Sequence, residues 1–303
     1  VPTFNEAVHR VYALHEPSWR NKKHAAQFLT TLEQYVSLVC GHKKISEVTS
    51  QDVMNALMPI WLTKAETARR VKQRISVVMK WAVAQGYRKD DPSIALEQAM
   101  PRVARTVEQR KSIQYDKVTD CLDAVRKSRA GAATKLAIEF LILTAARSGE
   151  VRLATWQEID LDRSLWTIPA ERMKGKAEHI VPLSGRAVDV LNSARGLGEG
   201  DLVFPGAKAG RPMSDMTMSK LIKELGFDAD VHGFRTSFRV WVQERTDASF
   251  EVAEKALAHK TKNKVVAAYA RSPLVERRRQ LMQQWADYLT QANGNVITIG
   301  GAA

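Results

Sequence analysis

The sequence has only two cysteines, Cys40 and Cys121, among its 303 residues, so a scaffold held together by disulfides is excluded. It has no run that approaches the ~20 consecutive apolar residues of a membrane-spanning helix. Its first residues, VPTFNEAVHR, lack the pattern of a secretory signal. No GxxxxGK(S/T) loop for binding nucleotide phosphates occurs either. These absences predict a protein that works in a reducing, cytoplasmic setting.

Acidic residues are scarce relative to basic ones. Lys and Arg together number 46 and Asp and Glu 33, which gives a formal net charge of +13 and a pI near 9.8. Such a balance indicates a polyanionic partner, either a nucleic acid or, less often, a membrane surface. Composition alone does not distinguish DNA from RNA or lipid, and it does not specify a reaction.

Apolar residues make up 45% of the chain, too many for a mainly disordered protein, and the length allows about two domains. Apolar positions recur at helical spacing through residues 1–100, which predicts a helical domain. Prolines and a polar, basic stretch predict a linker over residues 101–113. We expect a second domain over residues 114–290 and a Gly-rich, flexible tail over residues 291–303.

One helix of the first domain, predicted over about residues 66–84 and ended by Gly86, is strongly basic. It carries one carboxylate, Glu66, and six cations that lie on it or just before it: Lys64, Arg69, Arg70, Lys72, Arg74 and Lys80. The first 105 residues hold 16 basic and 9 acidic side chains, so positive charge is denser here than in the rest of the chain. A solvated basic face would explain the helix by itself, but this density favours a module that binds DNA phosphates.

The second domain has a different pattern. The stretch LAIEFLILTAARSGEVRLA predicts a buried helix and a turn, and TWQEIDL, SLWTIPA and HIVPL predict three short strands. Helices resume after the strands, so the predicted fold class is mainly α with a small antiparallel sheet (α+β). The last helix has Leu281, Trp285 and Leu289 at a spacing of four residues, which suits packing on its own domain or docking on a neighbouring copy.

Four short patterns in the second domain carry polar residues suited to chemistry. In order they contain Arg147 with Glu150, Lys174 in a hairpin loop, His232 with Arg235, and His259 with Tyr269. Each alone has a structural explanation, such as an ion pair, a surface lysine, a hydrogen-bonded histidine or a core aromatic. Together they supply the parts for metal-free transesterification of a phosphodiester. Guanidiniums offset charge on the phosphate oxygens, a phenol attacks phosphorus, and a cation protonates the leaving oxygen.

These patterns resemble the tyrosine recombinase (phage integrase) family, in which Arg, a hairpin Lys, His-x-x-Arg, His or Trp, and Tyr follow in this order. Here the order is Arg147, Lys174, His232-x-x-Arg235, His259 and Tyr269. The phrasing TAARSGEVRLATWQEIDL, RMKGKAEHIVPLS and HGFRTSF further resembles the integrases of prophages and genomic islands. The resemblance is strong over about residues 110–285. The first 100 residues resemble the family's core-binding domain more loosely.

The resemblance implies a site-specific DNA recombinase that cuts and rejoins strands through a 3′-phosphotyrosine, integrating or excising a mobile element. It implies a helical core-binding domain followed by a catalytic domain, and no metal, cofactor or ATP. The implied roles are a phosphate clamp for Arg147 and Arg235, support of Arg147 for Glu150, general acid for Lys174, general base or shuttle for His232, a phosphate hydrogen bond for His259, and nucleophile for Tyr269.

The implied partners are a double-stranded DNA attachment site, further copies in a homotetramer on DNA, and accessory DNA-bending or directionality factors, with no membrane and a location at the bacterial nucleoid. A type IB topoisomerase and a non-catalytic DNA-binding regulator on the same scaffold are the alternatives. Integrases of this type usually carry an arm-binding domain before the core-binding domain. Because this sequence starts with Val1 at the latter, we expect a trimmed chain that lacks arm-site binding.

Overall fold

The computed structural model of the chain divides into two compact units, Val1–Val107 and Glu108–Ala303. It describes residues 1–19, 22–102, 111–208, 210–259 and 272–291. Most of the expected linker and nearly all of the expected tail lie outside these ranges. The predicted domain boundaries and the predicted flexibility of the tail therefore stay predictions.

The first unit is built from helices. They are α1 (Phe4–His15), α2 (Lys22–Leu32), α3 (Leu38–Cys40), α4 (Ser50–Trp61), α5 (Ala65–Ala84) and α6 (Leu96–Ala99), with a 3-10 turn at Glu16–Ser18 and a π-helical stretch at Glu33–Ser37. The hydroxyls of Thr3 and Thr49 cap α1 and α4. In each case the backbone N–H of the cap residue donates a hydrogen bond to the carboxylate three residues later. The predicted basic helix is α5, and Gly86 follows its end with a φ of 74°.

The second unit combines a three-stranded sheet with helices. The helices are α7 (Val118–Lys127), α8 (Ala132–Thr144), α9 (Ser148–Arg152), α10 (Gly185–Ala194), α11 (Thr217–Glu224), α12 (Gly233–Arg245), α13 (Phe250–Ala256) and α14 (Val275–Gln291), with 3-10 turns at Tyr115–Lys117 and Trp156–Glu158. The strands are β1 (Ile159–Asp160), β2 (Leu165–Ile168) and β3 (His179–Pro182). This confirms the predicted fold class. In the described ranges, no helix is both long and apolar enough to cross a membrane.

The sheet is antiparallel with the order β1, β2, β3, and it sets Trp166 opposite Ile159 on one side and Val181 on the other. The first strand is much shorter than TWQEIDL predicts. Residues Trp156–Glu158 instead form a 3-10 turn, and the Glu158 carboxylate accepts a hydrogen bond of 2.9 Å from the indole Nε1 of Trp166. This contact with the next strand overrides the local alternation of apolar and polar residues.

The last helix, α14, packs on its own unit. Leu281, Trp285 and Leu289 are all buried in the core, and Trp285 Nε1 donates a hydrogen bond of 2.9 Å to the carbonyl of Ile142 near the end of α8. The apolar face of α14 is therefore used within the chain, the first of the two interpretations that its sequence allowed.

A buried carboxylate on α8 ties three helices together. Glu139 is 4% exposed, and its Oε1 accepts hydrogen bonds from Arg126 of α7 at 2.6 Å and from Arg186 of α10 at 2.7 Å. Burial raises the pKa of Glu139, but the bonds from the two guanidiniums outweigh it and hold the pKa below its ordinary value. This triad contributes stability that is present at neutral pH and is lost as the pH falls below the ordinary range of a carboxylate.

We expect Glu139→Ala to lower the free energy of unfolding by about 3 kcal/mol, the low end for breaking a buried ion pair. The reason for the low end is that Arg126 and Arg186 are each about one third exposed and can still reach water. Denaturant unfolding followed by tryptophan fluorescence measures the change. Glu224→Ala, which removes an exposed carboxylate on α11, is the control and should stay within about 0.5 kcal/mol of wild type. An equal, small effect of both variants would contradict a structural role for the triad.

Candidate active site

Arg147 lies in a tight connection between two helices. After α8 ends, Ala145 adopts a left-handed conformation with φ of 47°, and Arg147 is the N-cap residue of α9. The carboxylate of Glu150 accepts bonds from the Arg147 backbone N–H at 2.8 Å and from Nη1 at 2.7 Å. Glu150 is buried, whereas the Arg147 side chain is 23% exposed. The carboxylate therefore binds the guanidinium on the side that faces the protein, and the other side of the guanidinium still reaches solvent.

Arg235 lies in the first turn of α12 and is 4% exposed. Its Nη1 donates to the carbonyl of Ala145, and its Nη2 donates to the carbonyl of Leu257 at 2.5 Å. Its Nε is buried without a hydrogen-bond partner in the part of the chain that the structure describes. Burial and then the charge of Arg147 lower the pKa of Arg235 to about 10, so it stays cationic at neutral pH. Two neighbouring cations, one of them buried, form a place where a bound anion would be stabilised.

Gly233 fixes the start of α12. A Cβ on this residue would lie 2.2 Å from the carbonyl oxygen of Lys111 and 2.9 Å from the Cα of Ser112. The helix therefore packs directly on this backbone, and the Ser237 hydroxyl donates a hydrogen bond to the carbonyl of Ile113 just beyond. His232, half-buried, stands immediately before the helix and one turn from Arg235. The glycine between the two is what permits this close approach.

His259 completes the group of residues that the fold brings together. Its Nδ1 lies 2.8 Å from a carboxylate oxygen of Glu254, and its Nε2 lies 3.4 Å from Nη2 of Arg235. Partial burial raises the pKa of Glu254, but bonds with Arg239 and His259 outweigh it and lower the pKa overall. Because the carboxylate favours a proton on Nδ1, the Nε2 of a neutral ring is directed toward Arg235.

The other two predicted residues, Lys174 and Tyr269, are not part of the group that the described residues form. Lys174 is exposed in the loop between β2 and β3. Tyr269 falls in residues 260–271, outside the described ranges. The structure thus brings Arg147, Arg235 and His259 together with the carboxylate of Glu150, and it leaves the proposed proton donor on a surface loop.

A histidine that the sequence patterns did not single out lies close to the two arginines. Burial, followed by the charges of Arg278, Arg235 and Arg147, lowers the pKa of His179 to about 3, so the ring is neutral at physiological pH. His179 begins β3, and the sequence analysis interpreted HIVPL only as a strand. Its position at the end of the loop that carries Lys174 is a sequence signal that could have suggested the site, although spacing by itself does not show that it approaches the arginines.

The basic face of α5 in the first unit is only partly exposed. Arg69 and Arg70 are exposed, and both pair with Glu66, whose pKa their hydrogen bonds lower to about 2. Arg74 is half-buried, and its Nη1 donates a hydrogen bond of 2.8 Å to the carbonyl of Gln27 on α2. Lys64 and Lys80 are exposed, and Lys72 is half-buried. Arg74 thus has a structural role within its own unit, which sequence analysis did not foresee.

No group of three or more His, Cys, Asp or Glu is arranged to hold a metal ion in the described part of the chain.

Two family models match the chain. Residues 4–99 match the phage integrase central domain, and residues 111–274 match the phage integrase family. Among curated relatives, the integrase of Enterobacteria phage P4 is 30% identical over 97% of this chain and 71% of its own length. The prophage integrase IntA of Escherichia coli (strain K12) is 31% identical over 97% of this chain and 73% of its own length.

Solved structures give the same fold. A lambda integrase fragment (residues 75–356), crystallised as a dimer bound to a COC′ core site, matches 90% of this chain and 96% of its own with a TM-score of 0.68 and 17% identity. A lambda integrase tetramer bound to a Holliday junction matches 87% of this chain and 79% of its own, with a TM-score of 0.69 and 17% identity.

We expect Gly233→Ala to destabilise the second unit by about 3 kcal/mol, the upper part of the range for overpacking, because the clash is with backbone atoms. Thermal or denaturant unfolding measures the change. Gly131→Ala is the matched control, since a Cβ there meets nothing within 4 Å. If both variants unfold like wild type, the close packing of α12 on residues 111–112 is not what fixes this end of the helix.

Proposed function

The chain belongs to the phage integrase family, and so to the tyrosine recombinases that carry out site-specific recombination of DNA, and we propose that it cuts and rejoins strands through a 3′-phosphotyrosine intermediate. The observation that supports this chemistry best is the pair of guanidiniums of Arg147 and Arg235. Arg235 is buried, and its own charge is opposed by that of Arg147. A phosphodiester between the two would offset this repulsion and accept bidentate hydrogen bonds.

The proposed step conserves the phosphodiester bond energy. The phenolic oxygen of Tyr269 forms a bond to phosphorus as the bond from phosphorus to the 5′ oxygen breaks. His232 takes the phenolic proton, and Lys174 gives a proton to the leaving 5′ oxygen. His259 and the two arginines bind the non-bridging oxygens. Attack of a 5′-hydroxyl on the phosphotyrosine reverses the step, so neither ATP nor a metal ion is needed to close the strand.

The first unit supplies DNA contacts in this proposal. The exposed cations Lys64, Arg69, Arg70 and Lys80 suit phosphate contacts, and the half-buried Lys72 and Arg74 were predicted to join them. Because Arg74 is bound to α2, its contribution is to fix the helix rather than to reach far from it. Such contacts position a protein on a duplex without reading its sequence.

We propose that the active assembly is a homotetramer on a double-stranded attachment site at the bacterial nucleoid, helped by accessory DNA-bending or directionality factors. Lambda integrase has been crystallised as a dimer on a core site and as a tetramer on a Holliday junction. The shared fold makes the same assembly available to this chain. An assembly on DNA also fits the excess of positive charge that both units carry.

Tyr269→Phe should abolish the covalent adduct. The assay is a nicked suicide duplex that carries the core site, with the adduct separated on a denaturing gel. Wild type should form the adduct, also in EDTA, whereas the variant should bind the duplex and form none. An adduct that survives the substitution contradicts the assignment of the nucleophile, and loss of cleavage in EDTA would indicate a metal-dependent nuclease instead.

Arg147→Ala should raise the activation free energy of cleavage by ~3–4 kcal/mol, which slows cleavage about 10²–10³-fold. The reason is that the substitution removes a donor that stabilises charge in the transition state. Binding of the duplex should change little, since many other phosphate contacts remain. Single-turnover cleavage and a gel-shift titration measure the two effects. Arg163→Ala, which removes an exposed arginine between β1 and β2, is the control. A cleavage rate within about tenfold of wild type for Arg147→Ala would refute the clamp.

A further inference from the structure

The loop that carries Lys174 also contains an arginine whose side chain is turned into the protein. The Arg172 side chain is 18% exposed. Its Nη1 forms an ion pair with the carboxylate of Glu158, and its Nη2 donates to the backbone carbonyl of Glu150. Its Nε is buried and has no hydrogen-bond partner in the described ranges. Burial of a charged side chain costs free energy, so the contacts of Arg172 must offset that cost.

Those contacts lead directly to the phosphate clamp. Glu150 holds Arg147 through its carboxylate and Arg172 through its carbonyl. Lys174 follows Arg172 by two residues. A single residue of α9 therefore contacts both the clamp and the base of the lysine loop.

The base of the loop is also fixed from the sheet side. Glu158 accepts a bond of 2.9 Å from Nε1 of Trp166, which is fully buried on β2. Met173 is 6% exposed, and its N–H donates to the carbonyl of Ala170 at 3.2 Å. The chain becomes exposed at Lys174. The loop is thus anchored at Arg172 and Met173, directly before the exposed lysine.

We infer that Arg172 is a positioning residue for Lys174: by joining Glu150 to Glu158 it sets the point from which the lysine reaches the phosphate held by Arg147. This inference rests on the proposed function, in which Lys174 is the general acid. A proton donor must lie within hydrogen-bond reach of the leaving oxygen, and a displacement of about 1 Å can cost 10²-fold in rate. A planar guanidinium can bind two acceptors in different segments at once, which an ammonium on the same position does less well.

The leaving group offers a way to separate this role from a structural one. An alkoxide leaving group needs a proton, because the parent alcohol has a pKa near that of water, ~15.7. A thiolate does not, because a thiol has a pKa near ~8.5. A duplex with sulfur in place of the bridging 5′ oxygen therefore bypasses the general acid. It does not bypass the phosphate clamp or the fold.

The experiment compares cleavage of matched suicide duplexes with a 5′ oxygen or a 5′ sulfur at the scissile position. Arg172→Met should cleave the oxygen duplex on the order of 10²-fold more slowly than wild type and the sulfur duplex within about tenfold of it, since only proton donation is impaired. Lys174→Met should show the same pattern. Arg147→Ala should be slow on both duplexes, and Arg163→Met, the exposed control, should match wild type on both.

Two milder variants keep the test informative if Arg172→Met unfolds, which a thermal melt reveals. Arg172→Lys keeps the charge but loses the two-way bond. Glu158→Gln keeps one oxygen acceptor for Trp166 and removes the charge and the second acceptor oxygen that Arg172 pairs with. Both should show smaller losses on the oxygen duplex and recovery on the sulfur duplex.

If Arg172→Met cleaves the oxygen duplex at the wild-type rate, the inference is overturned. Slow cleavage of both duplexes by the Arg172 and Glu158 variants when Lys174→Met recovers on sulfur also overturns it, because the defect then lies in the clamp or the fold. A wild type that forms no adduct with either duplex overturns the proposed function, and this assignment with it.

Discussion

The buried guanidinium of Arg235 is the contact on which the site depends. It joins α12 to two carbonyls that are distant in the chain, 90 and 22 residues away. Both carbonyls stand at helix ends, where backbone oxygens lack partners within the helix and carry partial negative charge. Ala145 belongs to the turn that presents Arg147, and Leu257 is two residues from His259. One side chain thus fixes the relative positions of the arginine turn, the histidine and its own helix.

The same contact leaves the site positively charged. Arg147 has a carboxylate partner in direct contact, whereas Arg235 is bound through two carbonyls and a histidine nitrogen. The carboxylates of Glu150 and Glu254 act on Arg235 only at a distance. His179 adds no charge, because burial and the nearby arginines keep it neutral. The positive potential that remains is offset when a phosphate binds, which is the electrostatic condition for a clamp that favours charge developing on oxygen.

Local sequence patterns predicted the features that short stretches determine. The extent of α5 and the presence of three short strands follow from side chains within a few residues. The predicted length of β1 was wrong because the Glu158 carboxylate accepts a hydrogen bond from Trp166 of another strand. Arg74 was predicted only as a DNA contact, and its bond to α2 depends on a residue 47 positions away. The places of His179 and Arg172 near the site depend on partners in other segments, which no spacing rule reveals.

In the proposed mechanism, the phosphate clamp and the proton donor need opposite surroundings, and the second unit offers both within one chain segment of about 90 residues, Arg147 to Arg235. Burial holds the clamp in place, and arginine tolerates it because a pKa lowered to about 10 still leaves the group charged. A lysine, with an ordinary pKa of ~10.4, would be left with a pKa much closer to neutral under the same burial, and so with a smaller margin of charge. A proton donor must instead exchange its proton with solvent between reactions, and Lys174 is exposed. Exposure alone would leave the reach of this lysine undefined, and in the inferred arrangement the anchors at Arg172 and Met173, immediately before it, restrict that reach. The proposed chemistry requires permanent charge at the clamp, which arginine supplies. It also requires a group that gives up a proton, which a lysine on an anchored but exposed loop supplies.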